Sequence, residues 1–435
     1  MTKINLDCLN LIINELRTDK NSLYSCLLVN KEWCNLVVLI LWKNHSFRIK
    51  DMAEREKKLY TTILSCLPSS SKNLLSNNNI KLPSTILLKS PLFNYISVCE
   101  FPKAEIIGKI VEILFEEELG NYERNILEQE IYKLFVSQCK GIKELCWDTS
   151  QPLPLFPGAL TCFSQLHSLH IDVNIVSSND LNEMARICKS LNKLAISNFS
   201  QDLPGLISLI DAQSNLESVS LYPDIKGTCE ELSKALARKG TTINDLHLGP
   251  IGAIPPSFLT SLIKLKNITI YDSDNIRDEI KDFQHHLAIS EFPDLQTITI
   301  VGLSCFKELA ILIEKTNGNI SYISIYTYNR SAENTGMLIK AIANKCPKIK
   351  CLPIYLVSND FIHIKSLLLN CRNLEDIKFY GLDFVNDDDN IGDELLDILT
   401  KFSPNSLTKI LISGGWKYSI DAFERFFESC RERTL

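Results

Sequence analysis

Leu166-His167-Ser168-Leu169-His170-Ile171 is one copy of a short pattern, apolar-x-x-apolar-x-apolar, that returns along much of this chain. Copies start at Ile142, Leu166, Leu191, Leu216, Ile243, Leu265, Leu295, Ile320, Ile349, Leu374 and Leu407. Successive starts lie 22 to 33 residues apart. A self-similar period of this size marks a repeat architecture, in which a unit buries its apolar face only against its neighbours. Within the quoted copy, Leu169 and Ile171 alternate with His170, the period-two pattern of a half-buried strand. Helical patterns lie between copies. Asp180 to Lys189 carries Leu181, Met184, Ala185 and Cys188; Lys307 to Lys315 carries Leu309, Leu312 and Ile313; Phe361 to Cys371 carries Ile364, Leu367 and Leu368. One strand and one helix per repeat predict an α/β fold, with a concave parallel β-sheet and outer helices.

This core at this spacing resembles the leucine-rich repeat, which implies a solenoid, or horseshoe, over residues 139–435. Several helical segments end in Cys just before the next strand: Cys139, Cys188, Cys346 and Cys371. The order Cys-x-x-Leu-x-x-apolar resembles the cysteine-containing repeat subtype common in F-box proteins. Cys is small and readily buried, which suits a tight helix-to-strand corner. These thiols lie one or more repeats apart with no His in register, which argues against a metal site. Ile420, Phe423, Phe426, Phe427 and Cys430 form one side of a last amphipathic helix, expected to cover the final strand as solenoid ends require. Gly414-Gly415-Trp416 precedes that helix, and the pattern assigns the Trp no role.

The first 45 residues read as three helices. Leu6, Leu9, Ile12, Ile13 and Leu16 form one apolar stripe. After a polar turn, Leu23, Cys26, Leu27 and Val29 mark a second helix. Asn30 can cap a third, which carries Trp33, Leu36, Val37, Ile40 and Leu41 and ends near Trp42. A unit of this size buries little surface alone and calls for a partner or a neighbouring domain. The order Leu6, Leu9 to Leu16, Leu23 to Cys26, Val29 to Trp33 and Leu41-Trp42 resembles the F-box. Asp7 stands where that family has an early Pro, and Asn30 where it has a Cys. The resemblance implies docking of a Skp-type adaptor, and through it a cullin ubiquitin ligase. The adaptor face would comprise Leu6, Leu9, Ile12, Ile13, Leu16, Leu27, Val29 and Trp33. The plainer reading of the same residues is the core of a three-helix cap over the open end of the repeats.

Residues 46–138 read as a helical linker. Asp51 to Leu67 has Leu59, Ile63 and Leu67 at four-residue steps, with Pro68 as a stop. Ser69 to Asn79, rich in Ser and Asn, favours turns and mobility. Lys103 to Glu117 forms a helix with Ile106, Ile107, Ile110, Ile113 and Leu114 inward. Ile126, Leu127, Ile131, Leu134 and Phe135 mark another, which runs into the first repeat.

The position after the third apolar residue of a copy points outward from its strand. It is Tyr at 222, 271, 326, 355 and 380, far more often than 13 tyrosines in 435 residues would place there by chance. Tyr222, Tyr271, Tyr326, Tyr355 and Tyr380 therefore form a candidate aromatic row on the concave face for binding a protein substrate. The plainer reading is strand preference and stacking between neighbouring repeats.

The remaining features exclude more than they suggest. A net charge of −6 with no Lys/Arg run argues against nucleic acid. The longest purely apolar run, Leu36 to Trp42, is too short to span a bilayer. No secretory signal is apparent, and 15 cysteines with no C-x-x-C fit reduced thiols in the cytoplasm or nucleus. No Gly-rich phosphate loop, H-E-x-x-H or G-x-S-x-G is present. His167 and His170 lie on opposite faces of a strand, His285 and His286 diverge on a helix, and Asp387-Asp388-Asp389 reads as a solvated loop. No catalysis, cofactor or metal is expected. The chain resembles the F-box/leucine-rich-repeat family, including the expanded sets found in fungi. That implies a non-catalytic substrate receptor of a Skp–cullin–F-box ligase, a monomer within the complex. The alternative is a repeat scaffold with no ubiquitin link.

Overall fold

A computed structural model describes residues 5–45, 53–115, 119–272, 278–327, 333–381, 391–414 and 416–432. The chain divides into two compact units, Met1–Leu191 and Asn192–Leu435.

The first unit is mostly helical. It contains α1 (Leu6–Glu15), α2 (Lys20–Cys26), α3 (Lys31–His45), α4 (Ala53–Ser65), α5 (Ser69–Asn77), α6 (Ala104–Leu114) and α7 (Asn121–Gln138). Strand β1 (Glu144–Trp147), α8 (Ala159–Phe163), β2 (Ser168–Asp172) and α9 (Ser178–Ile187) complete it. β1 and β2 pair in parallel, with Leu145 level with Leu169 and Trp147 level with Ile171. Leu59, Ile63 and Leu67 are buried, as their four-residue spacing predicts. The helix expected over Lys103–Glu117 stops at Leu114, and residues 116–118 lie outside the described chain.

One expectation in this unit is overturned. Ser69 to Asn77 is helix rather than a mobile turn. Pro68 ends α4, but its extended backbone also starts a new helix, where a missing N–H costs nothing. Leu75 of α5 is fully buried. Lys72 is also buried, and its Nζ donates to Ser65 O and Leu87 O, both at 2.7 Å. Two carbonyl acceptors and one apolar anchor outweigh the weak helix propensity of serine and asparagine.

The second unit is a stack of strand–helix repeats. Its strands are β3 (Lys193–Gln201), β4 (Ser218–Thr228), β5 (Asp245–Leu248), β6 (Asn267–Tyr271), β7 (Thr297–Gly302), β8 (Tyr322–Thr327), β9 (Cys351–Leu356), β10 (Asp376–Gly381) and β11 (Lys409–Ser413). They pair in chain order, all in parallel. The connecting helices are α10 (Pro204–Asp211), α11 (Glu230–Arg238), α12 (Asp278–Ile289), α13 (Phe306–Glu314), α14 (Thr335–Lys345), α15 (Phe361–Asn370), α16 (Ile391–Phe402) and α17 (Ile420–Glu432). α10 packs on α11, and α12 to α16 each pack on the next. This is the fold that leucine-rich repeats build, and each strand begins two residues after the start of a copy of the pattern.

The pleat explains the core. Ile298, Ile300, Ile323, Leu352 and Ile377 face the helices and are fully buried, while Thr297, Thr299 and Ser324 between them reach the other side. We call that other side the open face. Each buried Leu or Ile stabilises by roughly 1.5–3 kcal/mol relative to exposure, a gain that exists only when the next repeat is in place. Repeat length follows the connection. The shortest spacing, Ile243 to Leu265, is bridged by a 3₁₀ segment, Pro256–Ser261, in place of an α-helix.

The predicted corners are there. Cys139, Cys188, Cys346 and Cys371 each occupy the C-cap of their helix, at α7, α9, α14 and α15. All four are buried. Cys371 Sγ donates to Cys346 O at 3.4 Å, so successive corners touch. Burial pushes the Cys188 thiol up to about 11 and Cys371 to about 12, which keeps both protonated and unreactive.

The last helix departs from expectation. α17 packs on α16, with Arg425 Nη2 3.6 Å from Asp397 and Ser419 held by the Asp393 carboxylate. It extends the helix layer instead of covering β11. Ala422 is its buried residue, whereas Ile420, Phe423 and Phe427 are exposed. Ile410 and Ile412 of β11 are accordingly only half-buried. Trp416 gains a role: it is buried, stacks on Phe361 at 5.6 Å, and donates Nε1–H to Ser413 O at 3.3 Å.

Candidate protein-interaction surfaces

The three N-terminal helices form a small closed core. Asp19 accepts from Asn21 N and Ser22 N at the start of α2, and Asn30 Oδ1 accepts from Glu32 N and Trp33 N at 2.9 and 3.0 Å at the start of α3. These caps satisfy amides that a helix start leaves open. Leu9, Ile13, Leu23, Cys26, Val37 and Leu41 form the core, with Leu16, Leu27, Trp33, Leu36 and Ile40 packed against it. Trp42 joins α3 to the chain that follows: its ring lies 4.5 Å from Tyr95, and its Nε1–H donates to Cys99 Sγ at 3.0 Å.

The sequence-derived adaptor set is thus divided. Leu9 and Ile13 lie inside the core, and Leu16, Leu27 and Trp33 are partly covered. Ile12 and Val29 face outward at 43% and 56% exposure. Leu6 lies on α1, but its side chain is outside the described set. Three further apolar side chains point outward with them: Leu11, Tyr24 and Leu28, the last 88% exposed. All three fall off the core spacing of their helices, so apolar periodicity does not single them out.

The open face of the second unit carries the tyrosines. Tyr222, Tyr271 and Tyr326 are each about half exposed, at 42%, 48% and 51%. Tyr355 turns inward instead. Its ring packs 5.9 Å from Phe306 and 5.5 Å from the half-buried Tyr380, and its Oη accepts from Thr327 N at 3.0 Å. The reason lies in the strand. Tyr322 pairs with Cys351 at the start of β8 and β9, and Pro353, two residues on, has no N–H for the ladder. The phenol takes up the Thr327 amide near the far end of the pair. The tyrosine pattern therefore contains three exposed rings, the half-buried Tyr380 and the inward Tyr355.

The other candidates for chemistry stay dispersed. His170 Nδ1 lies 3.6 Å from Cys146 Sγ, and His247 Nε2 lies 3.5 Å from Asp245. The rings of His285 and His286 meet edge to face at 5.5 Å, while His167 Nδ1 contacts Gln165 O at 2.8 Å. Among the described residues no three His, Cys, Asp or Glu side chains converge as a metal site would require. Asp387 to Asp389 lie outside the described residues. No described helix is long and apolar enough to cross a membrane.

No family model matches this chain, and no curated protein matches its sequence. Among solved structures, the chain is similar to the internalin InlF of Listeria monocytogenes at 15% identity, covering 75% of this chain and 93% of that one, with a TM-score of 0.36. It is also similar to LegL7 of Legionella pneumophila, a leucine-rich repeat-containing protein, at 12% identity over 70% and 93%, with a TM-score of 0.32. A third is the Toll–Spatzle complex of Drosophila, at 14% identity over 65% and 37%, with a TM-score of 0.31. Likenesses this low carry no argument about function. The repeat fold rests on this chain's own strand order and register.

Proposed function

We propose that this chain is a non-catalytic receptor that joins two proteins. Its N-terminal helices would dock a Skp-type adaptor, and through it a cullin. The open face of its repeats would hold a target for ubiquitin transfer. The observation that carries the adaptor half is the outward apolar set Leu11, Ile12, Tyr24, Leu28 and Val29 on helices whose core is already closed by other residues. Covering such side chains stabilises a complex by about 1.5–3 kcal/mol each before ordering costs. The resemblance to the F-box over Leu6 to Trp42 supplies the identity of the partner. The target half is supported by three half-exposed tyrosines on a rigid sheet, large flat groups that lose little entropy on binding.

The test is co-expression of the full chain with a purified-tag Skp adaptor. The expected result is co-purification, abolished by Ile12→Asp with Val29→Asp. Because both side chains are exposed, the double variant should keep the native thermal melt. Failure of the native chain to hold the adaptor would leave a protein-binding repeat scaffold with no ubiquitin link.

A further inference from the structure

β11 closes the strand order of the second unit and pairs with β10 alone. Lys409 is level with Asp376, and its amide donates to Glu375 O at 3.1 Å. Successive main-chain groups of a strand point to opposite sides, so the N–H and C=O of Ile410 and Ile412 point away from β10. Among the described residues nothing bonds to them. An edge of this kind is a template for one more strand. The side chains agree. The inward pairs of β3 to β10, from Leu194 and Ile196 to Ile377 and Phe379, are at most 3% exposed, whereas Ile410 and Ile412 are only half-buried. An end strand need not be bare: Leu145 and Trp147 of β1 are buried.

α17 supplies the matching apolar cover. Ala422 is buried, and Phe426 and Ser429, four and seven residues on, are half-buried, which marks the side seated on α16. Phe423 and Phe427 each follow a seated residue and lie about 100° round the helix from it. Their rings are 4.7 Å apart and form one exposed ledge, while Asp421 and Glu428 occupy the opposite arc. Elsewhere in the stack a helix packs on the strand that follows it, as α14 does on β9. The ledge of α17 stands where such a strand would be covered.

Charge narrows the occupant. The open face of β10 and β11 carries Lys378 and Lys409, whose Nζ atoms lie 4.0 and 3.5 Å from the same carboxylate, Asp376. Two lysines against one carboxylate leave a positive excess beside the open edge. The geometry points to an extended segment of a partner protein, added along β11 as the next strand. Alternate apolar residues would turn inward beside Ile410 and Ile412 and beneath Phe423 and Phe427, and an acidic residue would lie on the open face beside Lys409. Strand addition draws affinity from main-chain bonds and specificity from the alternating side chains. This goes beyond the receptor reading above, because it uses neither α1 to α3 nor the tyrosines.

The experiment is fluorescence anisotropy of the full chain with the labelled peptide Thr-Glu-Ile-Ser-Ile-Glu-Thr, whose pattern is the same in both directions. N-methylation of its central Ile-Ser-Ile keeps the side chains and removes the main-chain donors, and should weaken binding at least about tenfold. Lys409→Glu, at an exposed position, should weaken binding and shift preference to the peptide with Lys in place of Glu. Ile412→Pro should abolish binding yet keep the pairing with β10, because the lost N–H faces the open edge; a thermal melt checks both variants. Equal binding of the methylated peptide, or a Lys409→Glu variant that binds as the native chain does, overturns the proposal. So does a dimer in light scattering that Ile412→Pro converts to a monomer, since a second copy would then hold the edge. Adaptor co-purification does not involve β11, so this inference and the receptor reading stand or fall separately.

Discussion

Single residues in this chain are legible where one force dominates. Cys139, Cys188, Cys346 and Cys371 are caps because a small, buried side chain fits a corner, and Asn30 caps α3 because an amide start needs an acceptor. Tyr355 was not legible, because its direction depends on Pro353 breaking a ladder with another strand. That gives a sharp prediction. Tyr355→Phe keeps the ring packing on Phe306 and Tyr380 but removes the buried hydroxyl that accepts from the Thr327 amide. It should destabilise the protein by about 1–3 kcal/mol, read as a lower midpoint in urea unfolding with an unchanged slope. An equal change at Tyr222, whose ring is half exposed, should have almost no effect.

At the scale of elements, strands were easier to foresee than their neighbours. An apolar triplet with a fixed internal spacing defines a strand and its inward face together, so β1 to β11 follow directly from the pattern. Helices set by tertiary contacts did not. α5 depends on Lys72 reaching Ser65 O and Leu87 O, which no local propensity encodes. α17 has the moment of a covering helix yet packs on α16 and leaves Phe423 and Phe427 exposed. Its docking should respond to acid. Ser419 donates its N–H and Oγ–H to Asp393 at 2.7 and 2.6 Å, and these bonds hold that carboxyl below its ordinary value of 3.8. A group whose pKa is lower in the folded state contributes above its unfolded value and loses that contribution as pH falls through the folded one. α17 should therefore loosen as the pH drops below the usual carboxylate range. The fluorescence of Trp416, taken by difference against Trp416→Phe, should shift in that range. Asp393→Asn should show the shift already at neutral pH, and a variant that behaves as the native chain would rule out this clasp.

At the scale of the whole molecule, periodicity carries the order and register of the repeats, because stacking is a nearest-neighbour property. What binds where is a different matter. The outward residues Leu11, Tyr24 and Leu28 belong to no repeating pattern, and which tyrosines stay exposed is settled by contacts between strands. The central claim is that adaptor binding belongs to the N-terminal helices and leaves the open face of the repeats available for a target. Hydrogen–deuterium exchange of the full chain, with and without a Skp-type adaptor, tests it most directly. The account predicts slowed exchange within α1 to α3, residues 6–45, and unchanged exchange in β4 to β8. Protection centred on β4 to β8, or no protection in the N-terminal helices at saturating adaptor, would contradict it.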